Sequence, residues 1–406
     1  MKGNALYAQS GGVTSVINAS AYGVIKAAIQ SPVIHRVFGA VNGINGVLSG
    51  ELIDVGSQDP VQIARIPFTP GAIFGSCRKK LTEQEEFARL FHTFKQYDIG
   101  YFFYNGGNDS MDTASKIARN AQEIGYPLQV LGIPKTVDND LEGTDHCPGY
   151  GSAAKYTAVS VMEATRDVLS MSADSTQVFI LESMGRHAGW LTAAASLAFS
   201  YESNGALILL FPEEPFDETR FIHRLETAVA DHGYCTVVVS EGLKTKGGVF
   251  LSASSSSDAF GNVQLGKVSG ILESIIEERL SRKAHVCIPD YLQRSSRHLS
   301  SYTDWKEAVE VGQAAVDFAT KQSCLGLMVI IDRTSNQPYQ VQYRTIPLEK
   351  VANQTKAFPE RYRVPGEMMA NDSFKEYALP LIQGEAPNLW MEGLPLHAKL
   401  SLSFDE

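Results

Sequence analysis

Residues 100–140 read GYFFYNGGNDSMDTASKIARNAQEIGYPLQVLGIPKTVDND. The aromatic run Gly100–Tyr104 is strand-like and ends in Asn105-Gly106-Gly107. A helical pattern follows over Ser110–Ile124, then a second apolar run at Leu128–Ile133. Strand, glycine turn, helix, strand is the repeating unit of a parallel sheet covered on both faces. In such sheets ligands gather at the carboxyl ends of the strands, so the turns after the strands carry the functional reading.

The same alternation runs outward in both directions. Further candidate strands are Ala5–Gln9, His35–Val41, Gln177–Leu181, Ala206–Phe211, Thr236–Ser240, His285–Ile288 and Leu325–Ile331. Helical patterns fill the gaps at Ser15–Ile29, Glu83–Tyr97, Ala153–Leu169, Trp190–Ala198, Thr219–Asp231, Leu265–Arg279 and Lys306–Lys321. So many strands exceed one open sheet of this type. The expectation is an α/β protein of two doubly wound, Rossmann-like lobes with mainly parallel sheets. The expected division is 1–150, 151–292, and a segment 293–406 that packs back on both lobes. Ser254–Ser257, with Gly247-Gly248 nearby, reads as a flexible loop, and the chain beyond Gln337 is weakly patterned.

The 406 residues are 44% hydrophobic and 20% charged, with a formal net charge of -10. No block of like charge stands out, which argues against nucleic acid or an acidic membrane surface as a partner. A phosphorylated ligand is repelled by the whole molecule and needs a locally basic pocket. The apolar runs are strand-length, far short of a membrane span, and the N-terminus lacks a signal-peptide pattern. The cysteines, Cys77, Cys147, Cys235, Cys287 and Cys324, are scattered and never form CxxC. They read as reduced, mostly buried thiols of a cytoplasmic protein.

Five sets of turns carry unusual polar content. Gln9-Ser10-Gly11-Gly12 precedes a helix, whose free N–H groups suit phosphate; a plain tight turn explains it equally well. Gly106-Gly107-Asn108-Asp109-Ser110 repeats the pattern with a carboxylate, unless Asp109 or Ser110 is only an N-cap. Pro134-Lys135-Thr136-Val137-Asp138-Asn139-Asp140 sets two acids two residues apart. On extended backbone they point the same way and suit one metal ion plus one proton acceptor. Lys135 adds charge for phosphate, and Thr136 a hydroxyl. Met184-Gly185-Arg186-His187 offers an arginine for phosphoryl oxygens, while His187 beside small residues reads as structural. In the last set, Glu241 suits sugar hydroxyls and Arg294 a terminal phosphate, with Tyr291 and Lys283 near it.

Taken together and in order, SGG, GSCR (Gly75–Arg78), GGNDS, PKTVDND, MGRHAGW, SEG and YLQR resemble the phosphofructokinase family. The resemblance runs from the N-terminus to about Ser295, and PKTVDND followed by MGRHAGW is its most specific part. It implies a magnesium-dependent, reversible phosphotransferase acting on the 1-hydroxyl of fructose 6-phosphate, and a homodimer or homotetramer. Asp138 resembles the base, with Lys135, Thr136 and Arg186 completing the catalytic set. Met184, Gly185, Glu241, Lys283, Tyr291 and Arg294, with Thr136, Asp138 and Arg186, match the sugar-phosphate pocket. Gly11, Gly12, Arg78, Gly107, Asp109, Ser110 and Lys135 match the phosphoryl-donor pocket. The metal set is Asp140 with Asn108 and Asp109, where Asn108 departs from the family's usual carboxylate.

The donor implied is inorganic pyrophosphate. ATP-using relatives usually have glycine at the positions of Asp109 and Lys135, and pyrophosphate-using relatives carry Asp and Lys. A carboxylate at 109 crowds and repels the α-phosphate and nucleoside of ATP, and Lys135 balances a compact pyrophosphate. Gln177 and His285 stand where relatives have arginines reaching a neighbouring subunit's sugar phosphate, with Lys283 the candidate substitute for the second, so sedoheptulose 7-phosphate stays open as a substrate. An ATP-dependent 6-phosphofructokinase and a non-catalytic sugar-phosphate sensor of the same fold are the competing readings. A dinucleotide oxidoreductase is disfavoured, because GxGxxG is absent from the first strand–helix junction.

Overall fold

The strand–helix alternation becomes two sheets in the computed structural model, which describes residues 2–199, 206–257, 263–321 and 324–401. In chain order the main strands are β1 Gly3–Gln9, β2 Ile34–Ala40, β3 Leu52–Asp54, β4 Ile99–Gly106 and β5 Gln129–Pro134. Then follow β6 Val178–Ser183, β7 Leu207–Leu210, β8 Cys235–Ser240, β9 Ala253–Ser257 and β10 Val263–Leu265. The last are β11 Ala284–Cys287, β12 Leu325–Asn336 and β13 Tyr339–Pro347.

The larger sheet has the order β13-β12-β5-β4-β1-β2-β3, and the smaller β11-β6-β8-β7. The smaller is parallel throughout. The larger is parallel from β12 to β2, with β13 and β3 antiparallel at its edges. A strand buried on both faces reads as a near-continuous apolar run, and β4 shows why its sequence is so aromatic. Tyr101 and Phe103 pack into the core on one face, and Phe102 and Tyr104 into the core on the other.

Three features differ from the sequence reading. The weakly patterned tail contains β13, a full strand hydrogen-bonded to β12. The serine run is not a loop, because Ala253–Ser257 pairs with Val263–Leu265. In both cases the partner strand supplies the order that local propensity does not. The short edge strand β3 was also unmarked by any alternation. Residues after 293 contribute to both cores: Met328, Leu348 and Val351 join the first lobe, and Phe358, Phe374, Tyr377 and Leu381 the second.

Helices Ile17–Gln30 and Tyr302–Lys321 cross at two glycines. A Cβ on Gly23 would overlap the Val309 carbonyl, and one on Gly312 the Ser20 carbonyl. Gly312→Ala is expected to cost about 1–3 kcal/mol through overpacking, read as a lower denaturant midpoint. An unchanged midpoint would show that the two helices separate freely.

Candidate active site

The polar turns do collect at the carboxyl ends of the parallel strands. They line one cavity of about 610 Å³ between the two sheets. From β1 come Gly11, Gly12 and Val13, and from β4 come Gly107, Asn108, Asp109 and Ser110. From β5 come Lys135, Thr136, Asp138 and Asp140. The second lobe adds Met184, Arg186 and His187 after β6, Glu241 after β8, and Asp290, Tyr291 and Arg294 after β11.

The donor side is built from two interlocked turns. Gly11 has φ +76°, a left-handed conformation that favours glycine. Its N–H donates to the Cys77 carbonyl at 2.9 Å, and its own carbonyl accepts from Ser76 Oγ at 2.7 Å. The GSCR loop is thereby fixed on the SGG turn, with Arg78 in the cavity. The helix Asn108–Glu123 begins after Gly107 with no side-chain cap, so neither Asp109 nor Ser110 serves as its N-cap.

Cations converge around Gly12. Its carbonyl accepts from Lys135 Nζ at 2.6 Å, and a Cβ placed on it would lie 2.5 Å from Arg294 Nη1 and 4.0 Å from Arg78 Nη2. Burial pushes the Lys135 amine down to about 8, reinforced by Arg294 and Arg78. Here is the locally basic pocket that a chain of net charge -10 needs for an anionic ligand.

Opposite these cations lie the acids. Burial pushes the Asp138 carboxyl up to about 8, with the charges of Asp140 and Glu241 adding to the shift. Burial raises Asp140 as well, although its own backbone and Lys356 pull the other way. The loop between them is not extended, as the sequence reading had it. Asn139 is left-handed, with φ +54°. Its Nδ2 donates to Tyr377 Oη at 2.9 Å, and its Oδ1 accepts from the Cys147 N–H at 3.0 Å. This pinned turn brings both acids into the same cavity. Thr136 Oγ1 accepts the Asp138 N–H at 3.0 Å and tightens the bend.

On the second lobe, Gln293 Oε1 accepts the Met184 N–H at 3.0 Å, and Glu241 Oε1 accepts the Gly185 N–H at 3.3 Å. Gly185 thus orients Glu241 through its backbone. The Arg294 guanidinium lies 4.2 Å from the centre of the Tyr291 ring. His187 is exposed and packs at 5.9 Å from the Phe250 ring.

Three expected residues sit differently. Lys283 is exposed and immediately precedes β11, at the end of that strand opposite the cavity, so it is not a wall of this chain's own pocket. Asp109 lines the cavity, but its carboxylate pairs with Lys80 Nζ at 2.9 Å. Asn108 gives both ends of its amide to backbone: Oδ1 accepts the Asn353 N–H and Nδ2 donates to the Gln354 carbonyl. A side chain so engaged acts as a tie between the donor turn and the tail. Conversely, Asn353 and Thr355 line the cavity unannounced. They lie in the weakly patterned tail, where no strand-end rule points to them.

The sequence of the whole chain has close counterparts. A Phosphofructokinase family profile matches residues 4–319. A pyrophosphate–fructose 6-phosphate 1-phosphotransferase of Methylococcus capsulatus is 48% identical over 402 residues, covering 98% of this chain and 96% of the relative. Its namesake from Xanthomonas campestris is 46% identical, with the same coverage. The crystal structure of a pyrophosphate-dependent phosphofructokinase from Nitrosospira multiformis superposes with a TM-score of 0.92 at 46% identity, covering 98% of this chain and 97% of that one. Profile, full-length identity and superposition agree with the order of motifs along the strand ends, and the chain belongs to the phosphofructokinase family.

Proposed function

We propose that this chain transfers a phosphoryl group from inorganic pyrophosphate to the 1-hydroxyl of fructose 6-phosphate, giving fructose 1,6-bisphosphate and phosphate. The observation that carries the reading is the meeting of Lys135, Arg78 and Arg294 with Asp138 and Asp140 in one cavity. The names of its full-length relatives support it. Asp138 takes the proton of the 1-hydroxyl as that oxygen attacks the near phosphorus. The bond from this phosphorus to the bridging oxygen breaks, and phosphate leaves with the electron pair. Lys135 and Arg186 offset charge on the transferring group and the departing phosphate. Gly11, Gly12, Arg78, Gly107 and Ser110 cradle the donor. Met184, Glu241, Tyr291 and Arg294 hold the sugar phosphate, and Thr136 stands between the two substrates.

A magnesium ion fits the acid pair. Asp138 and Asp140 stand half-buried in one cavity with raised pKa values, a charge conflict that a divalent cation relieves. Magnesium is commonly held by one or two carboxylates plus substrate phosphates, and Asp140 would hold it here. When bound, the ion supplies charge neutralisation to the phosphates. The reaction exchanges a phosphoanhydride for an ester and runs in both directions. A cytoplasmic homodimer or homotetramer completes the reading, and no helix among the described residues is long and apolar enough to cross a membrane.

The test is a coupled assay of initial rates with pyrophosphate against ATP, each with fructose 6-phosphate and with sedoheptulose 7-phosphate. Turnover with pyrophosphate and fructose 6-phosphate, with ATP at background, is the expected result. Turnover with ATP alone would overturn the choice of donor, and none with any pair would return the chain to a sugar-phosphate sensor.

A further inference from the structure

Asn108 stands at the start of a helix and holds a distant piece of chain. Its Oδ1 accepts from the Asn353 N–H at 2.5 Å, and its Nδ2 donates to the next carbonyl, that of Gln354. The grip is reinforced by Asn353 Nδ2, which donates to Asp112 Oδ1 at 3.1 Å. Asn353 is left-handed, with φ +60°, a conformation asparagine tolerates better than most residues.

The same segment is held at its other end. The Lys356 N–H donates to the Asp140 carbonyl at 2.8 Å, and Lys356 Nζ donates to the Thr144 and Asp145 carbonyls at 3.1 and 3.0 Å. Residues 353–356 therefore form a strap from the donor turn to the acid loop. Asn353 at the first anchor and Thr355 between the anchors line the cavity. The two strap residues in the cavity, Asn353 and Thr355, bring hydrogen-bonding groups and no carboxylate, a composition suited to face an anion, while the Lys356 ammonium serves only as the anchor.

This strap also explains the residue type at position 108. The clasp needs a donor and an acceptor on one side chain, which an amide supplies. An aspartate there would set a carboxylate oxygen against the Gln354 carbonyl with no proton between them.

We propose that the strap 353–356, clasped by Asn108, is the wall that ends the donor pocket and limits the donor to two phosphoryl groups. The proposal rests on the pyrophosphate reading above. Asn108 is then a positioning residue that acts through the strap, and donor length is set from the far end of the sequence. The donor pocket acquires a wall besides the Asp109–Lys135 pair.

The test compares the full-length protein with Asn108→Ala and Asn108→Asp, using inorganic pyrophosphate and linear inorganic tripolyphosphate as donors. Both variants are expected to raise the KM for pyrophosphate about tenfold, as loss of one or two hydrogen bonds implies. The KM for fructose 6-phosphate stays within about twofold, and tripolyphosphate, refused by the wild type, becomes a donor. A general loss of structure would move both KM values and the thermal midpoint together. Thr355→Ala, which leaves the clasp intact, repeats the measurement if the clasp variants do not fold, with the same rise in pyrophosphate KM expected. Unchanged pyrophosphate KM and continued refusal of tripolyphosphate would overturn the proposal. So would an Asn108→Asp protein that keeps the wild-type pyrophosphate KM and needs less magnesium, which would make position 108 a metal ligand. If the wild type fails to turn over pyrophosphate, the functional reading falls on its own. Calorimetric binding of pyrophosphate to wild type and Asn108→Ala then still reads the wall, weaker binding to the variant supporting it and equal binding refuting it.

Discussion

Asp138→Asn is expected to lower kcat by roughly 10²–10⁴-fold, the usual worth of a positioned base, while making the protein more resistant to heat. The first effect follows from the role assigned to the carboxylate. The second follows from where it sits. Asp138 is half-buried near Asp140 and Glu241, and its carboxyl is pushed from the ordinary 3.8 up to about 8. Its folded-state pKa lies above its unfolded one, so the stability linked to this group is fully present below about pH 4. That stability declines as pH rises and is lost once pH passes about 8. Asparagine keeps the shape and never ionises. The variant's thermal midpoint should exceed the wild type's by roughly 3–6 °C at pH 8, with the gap closing toward pH 4. Calorimetry across that range, with rates measured in parallel, decides the matter. A midpoint gap that widened toward acid would mean that Asp138 is ionised and compensated in the fold. Near-normal turnover would remove it from the proton-transfer step.

Lys135→Met is expected to reduce kcat/KM for pyrophosphate by roughly 10²–10³-fold, the cost of removing one preorganised group that meets developing charge. Methionine fills the volume without the cation. The amine is held at about 8 by burial and by Arg294 and Arg78, so it is charged below that pH and neutral above it. In the free wild-type enzyme Asp138 must be deprotonated and Lys135 protonated, and both titrate near 8. The pH profile of kcat/KM should therefore be a narrow bell centred near 8. Raising the magnesium concentration should move its acid limb to lower pH, because a cation at Asp140 weakens the repulsion that lifts Asp138. Lys135→Met should lose the alkaline limb and keep the acid one. An alkaline limb that survives in the variant assigns it to another group.

The sheets are legible because a strand buried on both faces is mostly apolar, and β1, β4, β5 and β8 each hold an apolar run of three to five residues with polar residues mainly at their ends. Their turns were legible for a related reason: polar groups and glycines that end an apolar strand have few structural duties to explain them. Lys135, Asp138, Asp140, Arg186 and Arg294 were found in this way and share one cavity. What escaped depends on contacts remote in sequence. The turn at Asn139 is fixed by Tyr377 and the strap by Asn108, each more than two hundred residues away along the chain. No local pattern encodes such a partner. Lys283 is near Arg294 in sequence, but the short strand β11 lies between them and carries the two to opposite ends of that strand, so Lys283 does not reach this chain's own pocket.

The chain's last quarter has a bearing on how this protein can be cut and inherited. β12 lies against β5 and extends the first sheet, while Phe358 and the residues after it complete the second core. A fragment ending near residue 292 would bare the β5 edge and its row of unpaired amides, an invitation to aggregate. The halves are therefore not interchangeable cassettes. Recombination that trades one lobe must carry the distal coding region with it, and a split reporter or circular permutation must keep both returns of the chain.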